Sequence, residues 1–274
     1  MKPLPSISSQ INEEIIYKVV HKNFALLAPF FYSWISNWLI RAYGHYKDID
    51  KFVIIIYLIN KDLIFFRKNG IKIDYDTFYK DKTIEIEKIN ISDISKDLQI
   101  PKESVRRKVL ELEKERVIKK TGKKIFVDRS AFYAAQAKNT LSELSILLHE
   151  FNKLLKRNKY ASEIFEVSEI TQSIKENFSF CWYQFYKFLF IYTNRWRVEV
   201  NDLETFCIGM VVVINATHNK KFTPSKSTQN YYFKEIMGSD LRGVNAMSIS
   251  EITGIPRPTV VRKLKWLIDK KYLY

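Results

Sequence analysis

The stretch ISEITGIPRPTVVRKL, residues 249–264, is preceded 155 residues earlier by a cognate stretch, ISKDLQIPKESVRRKV, residues 94–109. Aligned without a gap, the windows Ile91–Ile118 and Ala246–Leu273 share Ile94/Ile249, Ser95/Ser250, Ile100/Ile255, Pro101/Pro256, Val105/Val260, Arg107/Arg262, Lys108/Lys263 and Leu112/Leu267. A composition this biased gives only about two such identities by chance over a window of that length. Both windows also place a basic residue after the proline (Lys102, Arg257) and a small hydroxyl two residues later (Ser104, Thr259).

The match continues upstream at an offset of 154. Asn23-Phe24 returns as Asn177-Phe178, Phe31-Tyr32 as Phe185-Tyr186, Arg41 as Arg195, Asp48 as Asp202, Phe52 as Phe206 and Ile54 as Ile208. A single one-residue indel reconciles the two offsets, so the chain reads as two homologous halves, residues 1–130 and 160–274, joined by a linking helix over 131–159. A chain of 274 residues is long enough for two domains.

Composition points to a folded, basic protein. Hydrophobic residues make up 46% and aromatics 15%, enough for a substantial core, and the formal net charge of +15 suits a polyanionic partner. Lysine outnumbers arginine among the basic residues, so placement of charge carries more information than its sum. Cys181 and Cys207 lie in apolar runs without a Cys or His at ligand spacing and read as reduced core residues. The segment Asn23–Ile40 is uncharged, yet it contains Pro29, Ser33, Ser36 and Asn37, and its counterpart carries Lys187 mid-span. A buried helix is expected there, not a membrane span. Met1-Lys2-Pro3-Leu4-Pro5 is not the start of a signal peptide, and a cytoplasmic location is expected.

In coarse outline the first half reads as a helix over about 9–22, an apolar helix ending near Gly44, and a third segment beginning at Asp48, a residue suited to capping a first turn. The β-branched cluster Phe52–Ile56 leaves that third segment open between helix and strand. Alternation at Ile71-Lys72-Ile73 and Ile84-Glu85-Ile86 predicts short strands or an edge hairpin. The repeated motif predicts two short helices around a tight turn, over about 91–118 and again over 246–273. Ser248 and Glu251 have the spacing of a capping box, with Asn90 and Asp93 as the weaker analogue. Leu98-Gln99-Ile100 and Thr253-Gly254-Ile255 form the turns, and Pro101 and Pro256 begin the second helices. Val105, Val109 and Leu112, like Val260, Leu264 and Leu267, form an inward stripe. The opposite face offers Lys102, Ser104, Arg106 and Arg107 in one copy and Arg257, Thr259, Val261 and Arg262 in the other, with Lys108 and Lys263 expected as supporting phosphate contacts. Long cations and hydroxyls of this kind reach base edges and phosphates in a major groove.

These residues resemble the winged helix-turn-helix domains of bacterial transcription regulators, the superfamily that includes the MarR, Lrp and Crp types. The resemblance covers about 30 residues in each half. It implies a mainly α fold of two winged-helix-type domains with small β-hairpins, in which the helices beginning at Lys102 and Arg257 are recognition helices. It also implies a wing, which Val117–Val127 suits, with Thr121-Gly122 at the tip and Lys123 and Lys124 as contacts to phosphate or the minor groove. The second copy stops at Tyr274 and is expected to be wingless. Glu103 against Pro258 suggests heads with different sequence preferences.

Between the halves, Ala134, Ala137, Leu141, Leu144, Leu148, Phe151 and Leu155 form a heptad stripe whose e positions, Lys138, Ser145 and Asn152, lack complementary charge. That favours packing within a bundle, with a homodimer through the same stripe as the alternative. The aromatic run from Phe178 to Trp196 reads as core; no effector is named. The four histidines are dispersed, no nucleotide-binding, hydrolase or metalloprotease motif is present, and neither an enzyme nor a cofactor is expected. The expected partner is double-stranded DNA, with the chain acting as a sequence-specific transcriptional regulator. A plasmid-type replication initiator with tandem winged helices, or a winged-helix protein-interaction scaffold, remain as alternatives.

Overall fold

Asn12 opens the first helix by accepting a hydrogen bond from the Ile15 amide at 2.9 Å, and α1 (Glu13–Lys22) has acids in its first turn and basic residues in its last, as the helix dipole favours. The computed structural model describes residues 11–80, 84–86, 90–121, 124–128, 131, 137–218, 220–237 and 244–273. After α1 come α2 (Phe24–Tyr46), α3 (Ile49–Lys68), α4 (Tyr75–Lys80), β1 (Ile84–Ile86), α5 (Ile91–Leu98), α6 (Lys102–Lys114), β2 (Ile118–Thr121) and β3 (Lys124–Val127). Then follow α7 (Lys138–Arg157), α8 (Val167–Glu176), α9 (Phe178–Val200), α10 (Leu203–Thr217), α11 (Gln229–Met237), α12 (Ala246–Thr253) and α13 (Arg257–Asp269). The fold is mainly α with one small antiparallel sheet among the described residues.

Four pairs of helices agree in length across the chain, whereas α3 has 20 residues and its counterpart α10 has 15. α1 and α8 each have 10 residues, α2 and α9 each 23, α5 and α12 each 8, and α6 and α13 each 13. α3 and α10 open alike: Asp48 accepts from the Lys51 amide at 3.1 Å, and Asp202 accepts from the Thr205 amide at 2.7 Å.

Two compact units cut across the divisions expected from the sequence. The first comprises Met1–Ile35, Asn139–Thr171 and Val212–Gly243; the second comprises Ser36–Lys138, Gln172–Val211 and Val244–Tyr274. Both helix-turn-helix segments therefore lie in the second unit, and α7, expected as a linker, belongs to the first. In the first unit, Leu154 and Leu155 of α7 pack with Val19 and Leu27, while Tyr232 of α11 packs with Ala25 and Ala28. Ala134, part of the expected stripe, lies outside the described residues. Within α7 the buried face includes Ser145 and Asn152. The Ser145 hydroxyl donates to Leu141 O at 2.9 Å, and the Asn152 carbonyl accepts from the Phe165 amide at 2.7 Å. Ser145 and Asn152 are thus satisfied locally, as buried polar groups require, while Lys138 is exposed.

The second unit is built around α3, in which every residue from Lys51 to Asn60 is buried. The Phe52–Ile56 cluster is helical because it is surrounded: α3 packs against α9, α5, α6, β1 and β3, and complete burial outweighs β-branched propensity. Ile71-Lys72-Ile73 does not form a strand. The Ile73 amide donates to Ser179 Oγ at 3.0 Å, and the Ser179 amide donates to Ile73 O at 2.9 Å, which ties this segment to the start of α9. Ile84-Glu85-Ile86 is a strand as expected, and the sheet order is β1-β3-β2, with Ile84 and Ile118 both opposite Val127. Phe178, Trp182, Phe185 and Tyr186 are buried, with Phe178 packed against Tyr75 and Phe78 at 5.2 Å, so much of the aromatic run forms core. Cys207 is buried and Cys181 half-buried; both are free, and burial pushes their thiols up to about 12 and about 11.

Among the described residues no single helix is long and apolar enough to cross a membrane; α9 and α10 reach that length and hydropathy only as a pair bent by 91°.

Glu204 accepts a hydrogen bond from the Ile49 amide at 3.1 Å. Burial, with repulsion from Asp202 and Asp50 adding to it, raises its carboxyl above the ordinary value. A raised acid favours the fold while it is protonated, and that contribution is lost as pH rises through the folded value. Glu204→Gln, which keeps the acceptor oxygen, should therefore melt higher than the parent at pH 7. The gap should close as pH falls through the carboxylate range; a pH series of thermal melts measures both.

Candidate nucleic-acid interface

The helix pairs α5–α6 and α12–α13 are assembled by closely similar local bonds. In the first, Asn90 caps α5 by accepting from the Ser92 amide at 3.1 Å, Gln99 takes a left-handed conformation with φ 52°, and the Ser95 hydroxyl donates to Ile100 O at 2.7 Å. In the second, Asn245 caps α12 by accepting from the Ser248 amide at 2.9 Å, Gly254 has φ 70°, and the Ser250 hydroxyl donates to Ile255 O at 2.7 Å. The expected capping box is corrected here: Asn245 is the cap, and Ser248 and Glu251 lie inside the helix. Pro101 and Pro256 adopt nearly the same angles, φ −52° and −53°, ψ 135° and 134°, and stand at the N-caps of α6 and α13. Ile94, Ile100, Val105 and Leu112, like Ile249, Ile255, Val260 and Leu267, are buried.

Lys108 and Lys263 do not join the outer face. Lys108 is 8% exposed and forms an ion pair with Asp48; Lys263 reaches Asp202 at 2.5 Å and the Thr205 hydroxyl at 3.0 Å. A lysine one residue after an exposed arginine is turned about 100° around the helix, which carries it back toward the core. Asp48 therefore also holds the middle of α6, and Asp202 the middle of α13. Burial alone would push the Asp202 carboxyl up, but the Lys263 ammonium and the bonds from Thr205 hold it below its ordinary value. Lys51 adds a further tie in the first copy, bonding Glu111 and Glu115, each at 2.8 Å. Its hydrogen bond to Glu111 lowers that carboxyl.

Lys102, Arg106, Arg107, Arg257 and Arg262 are exposed, while Ser104 and Thr259 are half-buried. The two outer faces differ in charge. On α6, Arg106 lies 3.5 Å from Glu103 and Arg107 lies 3.8 Å from Glu111. On α13, Arg257 and Arg262 form no ion pair among the described residues, and exposed Lys265, absent from the expected set, adds a cation to the same face. In the sheet, Lys119, Lys120 and Lys124 are exposed, with Lys124 paired to Glu85. Lys123 lies outside the described residues.

Sequence reasoning also missed Arg197. This α9 side chain is 7% exposed, donates to Leu98 O at 2.7 Å and pairs with Asp50 at 2.7 Å; its neighbour Asn194 donates to Asp97 O at 2.8 Å. A helix from the second half of the chain thus grips the turn of the first helix-turn-helix. On the other turn, Gly254 faces the Lys47 ammonium, 3.9 Å from where a Cβ would stand.

Comparison of the chain with protein-family models, with curated proteins and with solved structures finds no match.

Lys263→Met, which keeps the aliphatic stem and removes the charge, should lower stability in urea titration by about 1–3 kcal/mol by leaving Asp202 without its cation. Lys108→Met should do the same through Asp48. Arg107→Ala and Arg262→Ala should stay within about 0.5 kcal/mol. Because the Asp202 carboxyl is lowered by its partners, the Lys263→Met deficit should be full at neutral pH and shrink as pH falls through the depressed value.

Proposed function

We propose that this protein binds double-stranded DNA and regulates transcription at specific sites, using α6 and α13 as the recognition helices of two duplicated helix-turn-helix heads. The single observation that carries the reading is the agreement of the two segments feature by feature: the asparagine cap, the left-handed turn residue, the serine-to-carbonyl bond and the aspartate that pairs with a lysine of the second helix. Around that shared frame, each helix turns arginines outward. The element order α4-β1-α5-α6-β2-β3, with β3 central in the sheet, supports a winged-helix assignment for the first head, and the β2–β3 hairpin supplies exposed lysines as its wing.

In this mechanism Arg107 and Arg262 contact phosphate or guanine, Lys102 and Arg257 flank them, and Ser104 and Thr259 add hydroxyls beside the groove. Lys108 and Lys263 hold the recognition helices to the core and take no direct part. Both heads belong to one compact unit, in which Arg197 of α9 holds the turn of the first to α3, so their separation is set by packing, not by a tether. Preorganisation of that kind spares the ordering cost of bringing a second head onto the duplex.

Arg107→Ala combined with Arg262→Ala should weaken binding about tenfold or more and reduce the slope of log K against log salt by about two, since roughly one counterion is released per phosphate contact. Fluorescence anisotropy on a site selected from random duplex measures both. Inserting about five base pairs between the half-sites, half a helical turn, should abolish joint binding. Unchanged affinity in the folded double mutant removes this mechanism.

A further inference from the structure

The recognition-type faces carry different chemistry at one matched position. Arg106 in α6 corresponds to Val261 in α13, and both side chains point outward; Val261 is 50% exposed. Pro258, Val261, Arg262 and Lys265 share one face by the three- and four-residue spacing of a helix. Valine is a weak helix former, and at this position half of its surface stays open to solvent, so burial within the chain offsets little of that. Arg257, Arg262 and Lys265 surround it with cations, and no acid lies among them on that face. The occupant of such a face is polyanionic and offers a small apolar group between its charges.

Duplex DNA meets both requirements in the major groove, where the C5-methyl of thymine is the one apolar group on a base edge. Resting on the function proposed above, we infer that Val261 reads a thymine methyl, so that the half-site under α13 contains an obligatory thymine while the half-site under α6 is read by charged side chains. The corresponding position in α6 is arginine beside Glu103, a pair suited to hydrogen-bonding base edges and not to a methyl group. The preferred site is accordingly bipartite and asymmetric, not an inverted repeat.

The test uses the full chain and a duplex selected from a random library. Each thymine in turn is replaced by deoxyuridine, which removes the methyl and leaves the base pair intact. One position in the α13 half-site should lose about fourfold in affinity, the equivalent of one buried methyl. In Val261→Ala, verified as folded by its thermal melt, thymine and deoxyuridine at that position should bind equally, which makes the coupling specific to the pair. If wild type binds a selected duplex tightly and no deoxyuridine substitution matters, or if Val261→Ala keeps the full sensitivity, the inference is overturned and the DNA-binding reading stands. If wild type shows no salt-sensitive binding to any duplex, both fall together.

Discussion

One carboxylate serving two helices underlies the second unit. Asp48 caps α3 and holds Lys108 of α6; Asp202 caps α10 and holds Lys263 of α13. Pairs of this kind add little net stability, because desolvating both ions costs about as much as their attraction returns. Their effect is on placement. A helix whose apolar stripe is buried Val260 and Leu267 with half-buried Leu264 could roll by a fraction of a turn and still bury apolar surface, but a lysine that must reach one aspartate fixes the rotation. The side chains that remain outside, Arg262 and Lys265 on one helix and Arg106 and Arg107 on the other, are aimed by that choice.

The aromatic contacts next to these pairs agree in the same way. Trp38 meets Phe52 at 5.6 Å and 68°, and Tyr192 meets Phe206 at 5.8 Å and 64°. Edge-on packing at this separation is a favoured arrangement of two rings. The ring and the ion pair lie near the start of the same core helix, so capping, aromatic packing and helix attachment reinforce one another in both places.

The motif was legible in the sequence because its signals are local: a proline register, a turn residue, a stripe at helical spacing. Gly254 announces its left-handed turn, whereas Gln99 adopts nearly the same conformation without a compositional sign and was found only by alignment. The pairing of Lys108 and Lys263 is not legible in this way, because a count of cations does not distinguish one that faces solvent from one that faces an acid within the fold. The signal was present, since Asp48/Asp202 and Lys108/Lys263 were all among the identities, but nothing local says that two residues about 60 apart will touch. The compact units were hidden for a related reason. An apolar face shows that a helix is buried, not which other helix covers it, and α9 packs on α3 through contacts such as Arg197 to Asp50, 147 residues apart in sequence.

Internal neutralisation reshapes what the formal charge of +15 means. Lys51, Lys108, Lys263 and Arg197 extend little into solvent and are each matched by an acid, and Arg106 and Arg107 each stand beside a carboxylate at the surface. The uncompensated field along these two helices is therefore lopsided, strongest over α13. On the proposed function this gives the encounter a direction in time: a polyanion arriving by diffusion is drawn first to the α13 face, and α6 engages only after the duplex is already oriented.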